Sequence, residues 1–586
     1  MSVVGIDFGN QSCVVAVKRR RGIALVLNKD CNEEIPSLVY FTGEQRLFGE
    51  AAAAASMSKP ELSISQLKCL IGASFFDREF RRDVSQFPFI VTEGCDRIPL
   101  INAEYSREAR TFTPTLVLGM LFSYLKGIAQ ESLEKDVVAG NCCIGIPAYF
   151  TDLQRRVVLD AATIAGLNPL SLIHETTATA LEYGVSKLDL VGKDCLNVVF
   201  VDVGHSSMQV NVVRFEQGQL HILAYDFVKS LGGEAVDKIL CEYMAAKIQD
   251  KFNIDVTANR RTYFLFQVAC EQLKKIMWED PETPFDIEEM IHTEEAESFT
   301  SVILKRLREP WWRVLAEAGV EGELFSKVHI KRDEFRHICA PVLDRMKKPL
   351  EKVLLEADLR VQDISSVELV GSGSLLPIIV HSITEFFGKM PQRSMNKRGS
   401  VAKGCALMCE LLSNASEAPC FLLLVVEKDE VLFAKDASKE ATISDTDDAS
   451  AVVDRAPKSS EKPVQMDIDA KVEDPEMIEK VSKAIIEFVC GGLSQTDLNV
   501  AVQQKVCMVS QDRDIEPKDK EKKAMVNYLR DMRLEKLPYS RFANPGTFKA
   551  LIGEIEDLED MLKYEDESVD DVIFRFEEVK KKCDRY

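Results

Sequence analysis

Two short hydrophobic stretches each run into Asp-x-Gly. Ser2 to Asn10 (SVVGIDFGN) carries Asp7-Phe8-Gly9, and Asn197 to His205 (NVVFVDVGH) carries Asp202-Val203-Gly204. An aspartate at the mouth of a tight turn can hold Mg²⁺ through its waters, and the following glycine lets backbone N–H groups approach phosphate oxygens with no Cβ in the way. A single such turn is an ordinary hairpin, but two facing each other would clamp a polyphosphate.

Strands must carry those turns and helices must back them. Residues 1–412 alternate β-rich stretches such as Val198 to Val203 with amphipathic helices such as Cys241 to Lys251, an α/β pattern. The duplicated strand-turn-strand implies two similar lobes with a ligand between them, lobe I from 1–190 and 388–412 and lobe II from 191–387. A chain of 586 residues, 46% hydrophobic and 28% charged, is too long for one core and suits two or three domains. Its net charge of −21 argues against nucleic acid, which is bound mainly through Lys and Arg.

The sixteen cysteines stand at spacings that suit neither zinc nor redox motifs and read as free thiols. The chain enters the Asp7 strand without a charged-then-apolar leader, and its longest apolar run, Phe421 to Val426, is too short for a bilayer. The expected location is the cytoplasm, with the nucleus as a second compartment, and no membrane partner is expected.

From Ser413 to Pro475 the composition turns acidic and Ser/Pro-rich, a linker holding one small hairpin from Phe421 to Val426 and Glu430 to Phe433. Beyond Asp474-Pro475, Met477, Val481, Ile485 and Phe488 recur at helical spacing. Further helices are marked by Met525, Leu529 and Met532, by Phe548, Leu551, Ile552, Ile555 and Leu558, and by Val569, Ile573, Phe576 and Val579. Residues 476–586 are thus expected to form a helical bundle.

The segments Ile146-Pro147-Ala148-Tyr149-Phe150-Thr151-Asp152-Leu153-Gln154-Arg155 and His174-Glu175-Thr176-Thr177-Ala178-Thr179-Ala180-Leu181-Glu182-Tyr183-Gly184 resemble signatures of the 70-kDa heat-shock proteins. That family's first loop reads Asp-Leu-Gly-Thr-Thr, whereas here Gly9 is followed by Asn10-Gln11. The second loop reads Gly204-His205-Ser206-Ser207 in place of a glycine triplet. Both departures resemble the large 110-kDa branch, as do Gly491 to Leu498, Asp531-Met532-Arg533 and Tyr564-Glu565-Asp566.

The resemblance implies an actin-like ATPase fold holding ATP or ADP with Mg²⁺. Its hinge would be a close helix crossing, for which Ala178, Ala180 and Gly184 and then Ala402, Gly404 and Ala406 supply small residues. Lys68 matches the catalytic lysine near the γ-phosphate, Glu175 a carboxylate that orders Mg²⁺ waters, and Asp7 and Asp202 the aspartates flanking the metal. Gly9, Asn10, Gln11 and Gly204 to Ser207 match the phosphate loops. Gly232, Gly233, Glu271, Lys274, Lys275, Gly371 and Gly373 match the adenosine side. Pro147 and Arg155 match a pair that relays nucleotide state to the surface.

Three positions depart on the adenosine side: Trp278 replaces a small polar residue, Leu375 the adenine-stacking arginine, and Arg398-Gly399 an acidic pair. With Asn10 and Ser207 in place of threonines, binding without efficient turnover is expected, Lys68, Glu175 and Asp202 supporting at most slow hydrolysis. A β-sandwich of seven or eight strands does not fit between 413 and 475.

The resemblance then implies an ATP-binding co-chaperone that promotes ADP release from a conventional 70-kDa heat-shock protein, with unfolded clients as further ligands. An ATP-hydrolysing peptide chaperone, a small-molecule kinase and a degenerate truncated family member remain alternatives.

Overall fold

A computed structural model describes residues 2–134, 137–187, 195–216, 219–253, 255–279, 332–413, 425–426, 493–531, 551–555, 558 and 569–583. Two sheets organise the first part of the chain. In the first, β1 (Ser2–Phe8) pairs antiparallel with β2 (Ser12–Arg19), which pairs with β3 (Gly22–Leu25). On its other side β1 pairs in parallel with β4 (Ala139–Ile146), and β5 (Asn168–His174) follows β4.

The second sheet repeats this plan. Its β6 (Leu196–Val203) pairs antiparallel with β7 (Met208–Glu216), β7 with β8 (Gln219–Val228), and β6 in parallel with β9 (Ser366–Val370). Phe8 faces Cys13 across the first hairpin and Val203 faces Met208 across the second, so residues 9–12 and 204–207 are equivalent turns. Inner strands buried on both faces explain the near-continuous apolar runs in both motifs.

Helices cover the sheets. Around the first sheet, lobe I, pack α1 (Pro114–Glu131) and α2 (Asp152–Ile164), and α3 (Glu175–Ser186) leaves β5 directly at Glu175. Thr151 caps α2 through a reciprocal capping box with Gln154. Around the second sheet, lobe II, pack α4 (Gly233–Phe252), α5 (Arg260–Glu279) and α6 (Arg332–Glu356).

The expected crossing is present between α3 and α7 (Ser400–Ser413). A Cβ on Gly404 would stand 1.9 Å from the Ala178 carbonyl oxygen, and Thr179 Oγ1 lies 3.4 Å from Ser400 Oγ. Ala402 and Ala406 do different work: their backbone fits against Gly5 of β1, where a Cβ would stand 2.1 Å from the Ala402 carbonyl oxygen. Ala180 turns away, into a core with Tyr183 and Phe200.

Of the expected hairpin only β10 (Val425–Val426) falls among the described residues, and it adds in parallel to β8. The Met477 to Phe488 stripe and Phe548 lie outside them. The Met525 and Leu529 stripe belongs to a longer helix than expected, α8 (Gln495–Asp531). Its first half does not close on a bundle but docks on lobe I, with Leu498, Ala501 and Met508 joining that lobe's core.

Polar contacts fix this dock. Arg46, 5% exposed, donates from Nε and Nη2 to Asp512 Oδ2 at 2.9 and 2.6 Å, and Tyr105 Oη donates to Asp512 Oδ1 at 2.9 Å. The Leu493 N–H donates to Asp160 Oδ2 of α2 at 2.8 Å. Farther along, Tyr528 of α8 meets Phe576 of α9 (Val569–Cys583) edge-on at 5.5 Å.

Gly404→Val is expected to lower the calorimetric melting temperature by several degrees, since overpacking costs roughly 1–3 kcal/mol. Gly127→Ala, in α1 with open space at its Cα, is expected to raise it through a gain of about 0.5–1 kcal/mol. Asp512→Ala leaves a buried guanidinium unpaired at a cost of about 3–5 kcal/mol. Hydrogen exchange should then show α8 losing protection while lobe II keeps its own.

Candidate functional site

Both turns open into one cavity of about 100 Å³, lined from lobe I by Asp7, Gly9, Asn10, Gln11, Lys68 and Glu175 and from lobe II by Asp202, Gly204 to Ser207 and Gly371. Gln209, Glu34, Ser372, Lys397 and Arg398 complete much of the wall. The cavity brings Asp7, Gly9, Asn10, Gln11, Lys68, Glu175, Asp202 and Gly204 to Ser207, which the sequence singled out, to one place.

Each turn is braced from behind. Ser37 Oγ donates to the Gly9 carbonyl at 2.8 Å. Behind the second turn, the Gly233 and Glu234 N–H groups donate to the Gly204 and His205 carbonyls at 3.0 and 2.8 Å. Gly371, at φ +81°, passes so close that a Cβ would stand 2.3 Å from Asp202 Oδ1, and Gly373 lies against the Val203 and Gly204 carbonyls. Gly232, Gly233 and Gly373 thus support the second turn from behind and are not among the residues lining the cavity.

Three carboxylates face one lysine. Lys68 Nζ lies 2.7 Å from Glu175 Oε1, both nearly buried, and Gln209 Nε2 donates to the other Glu175 oxygen. Burial, Glu175 and Asp202 together push the Asp7 carboxyl well above its usual range, with Lys68 opposing them. Burial, then Glu175, pushes Asp202 up to about 7. Burial alone would lower the Lys68 ammonium, but Glu175, Tyr149 and Asp7 hold it above its ordinary value.

Such a donor set fits a divalent cation. Asn10 is 7% exposed and its Oδ1 has no partner among the described residues, leaving an acceptor beside the cavity for a metal-bound water. Among the described residues no group of three or more His, Cys, Asp or Glu converges closely enough to ligate a metal directly. Asp7, Glu175 and Asp202 therefore suit Mg²⁺ held through waters and phosphate oxygens.

Glu271, Lys274 and Lys275 are not among the residues lining the cavity. Glu271 accepts from Lys275 Nζ and from Gln11 Nε2, at 2.7 and 2.8 Å. Lys274 is buried against Asp237 at 2.6 Å and donates to the Gly233 carbonyl. Arg398 reaches the cavity wall and pairs with Glu34 at 3.1 Å. Leu375 is half-buried and is not among the lining residues. The Trp278 side chain lies outside the described residues.

Arg155 Nη2 lies 3.0 Å from His174 Nε2, so the expected relay residue touches the residue preceding Glu175. Sequence reasoning missed Gln209, which accepts from the Ala148 N–H at 2.9 Å while holding Glu175. It also missed Tyr149, whose hydroxyl donates to Ser207 Oγ at 3.3 Å, and Asp237. A glutamine directly across the hairpin from Asp202 was the one available signal for the first.

The family model for the Hsp70 protein matches residues 3–330 and 316–494. The chain belongs to the 70-kDa heat-shock protein family. Heat shock 70 kDa protein 15 of Arabidopsis thaliana is 38% identical over 718 aligned positions, covering 99% of this chain and 82% of that protein. Those positions outnumber the 586 residues here, so the plant relative carries a long internal stretch with no counterpart.

Similarity to the 97 kDa heat shock protein of Strongylocentrotus purpuratus (35%, 70% of this chain and 43% of that one) and to Heat shock 70 kDa protein 4 of Homo sapiens (34%, 71% and 46%) places this family member in the large 110-kDa branch. Among the described residues, no helix of this heat-shock protein is long and apolar enough to cross a membrane.

Folding raises Asp202 above its unfolded value, so its contribution to stability is full at low pH and is lost as pH rises through about 7. Mg-ATP favours the ionised form. Its affinity, measured by calorimetry, is expected to rise several-fold from pH 6 to pH 8, and Asp202→Asn is expected to flatten that dependence.

Proposed function

We propose that this heat-shock protein is an ATP-binding co-chaperone that accelerates ADP release from a conventional 70-kDa heat-shock protein, and that ATP serves it as a structural ligand. The observation carrying the reading is the two-lobed phosphate cavity, in which Lys68, Asp7, Glu175 and Asp202 are all present while Asn10 and Ser207 stand where the family has threonines. ATP held between the lobes would stabilise the closed form by mass action, about 2.7 kcal/mol at a hundredfold excess over Kd.

When bound, Mg-ATP would supply a divalent cation whose charge offsets the carboxylates of both lobes, and a polyphosphate whose charge Lys68 and the turn N–H groups meet. Lys68 would then balance charge near the outermost phosphate, and Asp7, Glu175 and Asp202 would hold the metal through its waters. An asparagine amide can hydrogen-bond phosphate but cannot shuttle a proton, so turnover is slow, at most what positioning alone supplies.

We place the nucleotide-binding domain at 1–412, the acidic linker at 413–475 and the helical domain at 476–586. The short linker supports loss of most of a β-sandwich, which disfavours an ATP-hydrolysing peptide chaperone, and the plant relative carries a long internal stretch with no counterpart here. Unfolded clients, a cytoplasmic and nuclear location, and the named partner belong to the same proposal.

The test is stopped-flow release of fluorescent ADP from a conventional 70-kDa heat-shock protein mixed with this chain and excess ATP. Strong acceleration is expected, and Asp7→Ala should abolish it. An unchanged release rate with folded protein would overturn the exchange-factor reading.

A further inference from the structure

Besides the Gln209 and Tyr149 contacts already described, side-chain hydrogen bonds at Asn10, Gln11 and Glu34 also run directly between the lobes. Asn10 Nδ2 lies 3.2 Å from His205 Nδ1, joining one phosphate turn to the other. Gln11 Nε2 donates to Glu271 Oε1 at 2.8 Å, and Ser372 Oγ donates to Glu34 Oε1 at 3.0 Å. Above them Met57 of lobe I packs against the lobe II core.

The two amide donors stand where Asp-Leu-Gly-Thr-Thr carries its two threonines. A threonine hydroxyl sits on Cβ and cannot extend as far as the asparagine or glutamine amide, which lies one or two bonds farther out. The acceptors are anchored independently: Glu271 is held by Lys275, and the His205 backbone by the Glu234 N–H. Burial lowers the proton affinity of His205, whose Nδ1 lies within hydrogen-bond distance of the Asn10 amide.

We infer that Asn10 and Gln11 form a clasp with His205 and Glu271, positioning the two phosphate turns at their closed spacing through contacts that run through no ligand atom. The substitutions that remove the threonine hydroxyls thereby supply closure: the lobes stay together when nucleotide leaves, and ATP reinforces a state already favoured. The inference concerns this chain's own lobes and stands whether or not it acts as an exchange factor.

The test uses the full chain with fluorophores carried by genetically encoded unnatural amino acids at Ile90 on lobe I and Ala246 on lobe II, both exposed. Energy transfer is read after stripping nucleotide with EDTA and apyrase, and again with Mg-ATP. Wild type is expected to give the same transfer in both states. Asn10→Thr/Gln11→Thr is expected to open when stripped, to close again with Mg-ATP, and to release ATP roughly tenfold faster, as two hydrogen bonds of ordinary net strength would give.

Circular dichroism checks the fold of the pair. His205→Ala, which removes only the lobe II acceptor, carries the same comparison should the pair fail to fold. A wild type that opens on stripping, or variants that stay as closed as wild type when stripped, would overturn the clasp.

Discussion

Three carboxylates crowded around a single lysine, in a cleft where the solvent is largely excluded, set the terms for everything else in this protein. Asp7 and Asp202 come from opposite lobes, and Asp202 adds to the burial and Glu175 that raise the proton affinity of Asp7. Lys68 is paired with Glu175 and offsets only part of that charge. A cleft so charged is stable at neutral pH when its walls are rigidly braced and a cation with its polyphosphate can share the load.

The bracing is visible at each level of the chain. Two equivalent hairpins present the two aspartates, and Gly371 comes so close behind the second that no side chain would fit there. Gln209 holds Glu175 from the lobe II side while Lys68 holds it from lobe I, so the carboxylate that begins α3 is gripped by both halves. At the base of the cleft, α3 and α7 cross at a distance only Gly404 permits.

One helix connects this site to the C-terminal part of the chain. Near its start α2 carries Arg155 against His174, next to Glu175, and farther along the same helix Asp160 accepts from the Leu493 N–H at the beginning of α8. The buried Arg46–Asp512 pair and Tyr105 then hold α8 on lobe I. His174, beside the cavity wall, and the dock of the C-terminal helix therefore both contact the same helix, α2.

Local chemistry was legible in the sequence by itself. The Asp-x-Gly repeat announced two equivalent turns because a strand, a carboxylate and a glycine are all specified within ten residues. The signature segments around Pro147 and Glu175 identified the family, and small residues in α3 and α7 marked a crossing. Tertiary structure decided what lies across space. Gly232, Gly233 and Gly373 turned out to back a loop, Lys274 faces Asp237, and α8 spends its apolar stripe on lobe I. An apolar stripe says only that a face must be covered, and an amide says only that it can donate. Which surface covers the one, and which acceptor meets the other across the cleft, depends on lobes whose approach is set by residues hundreds of positions apart.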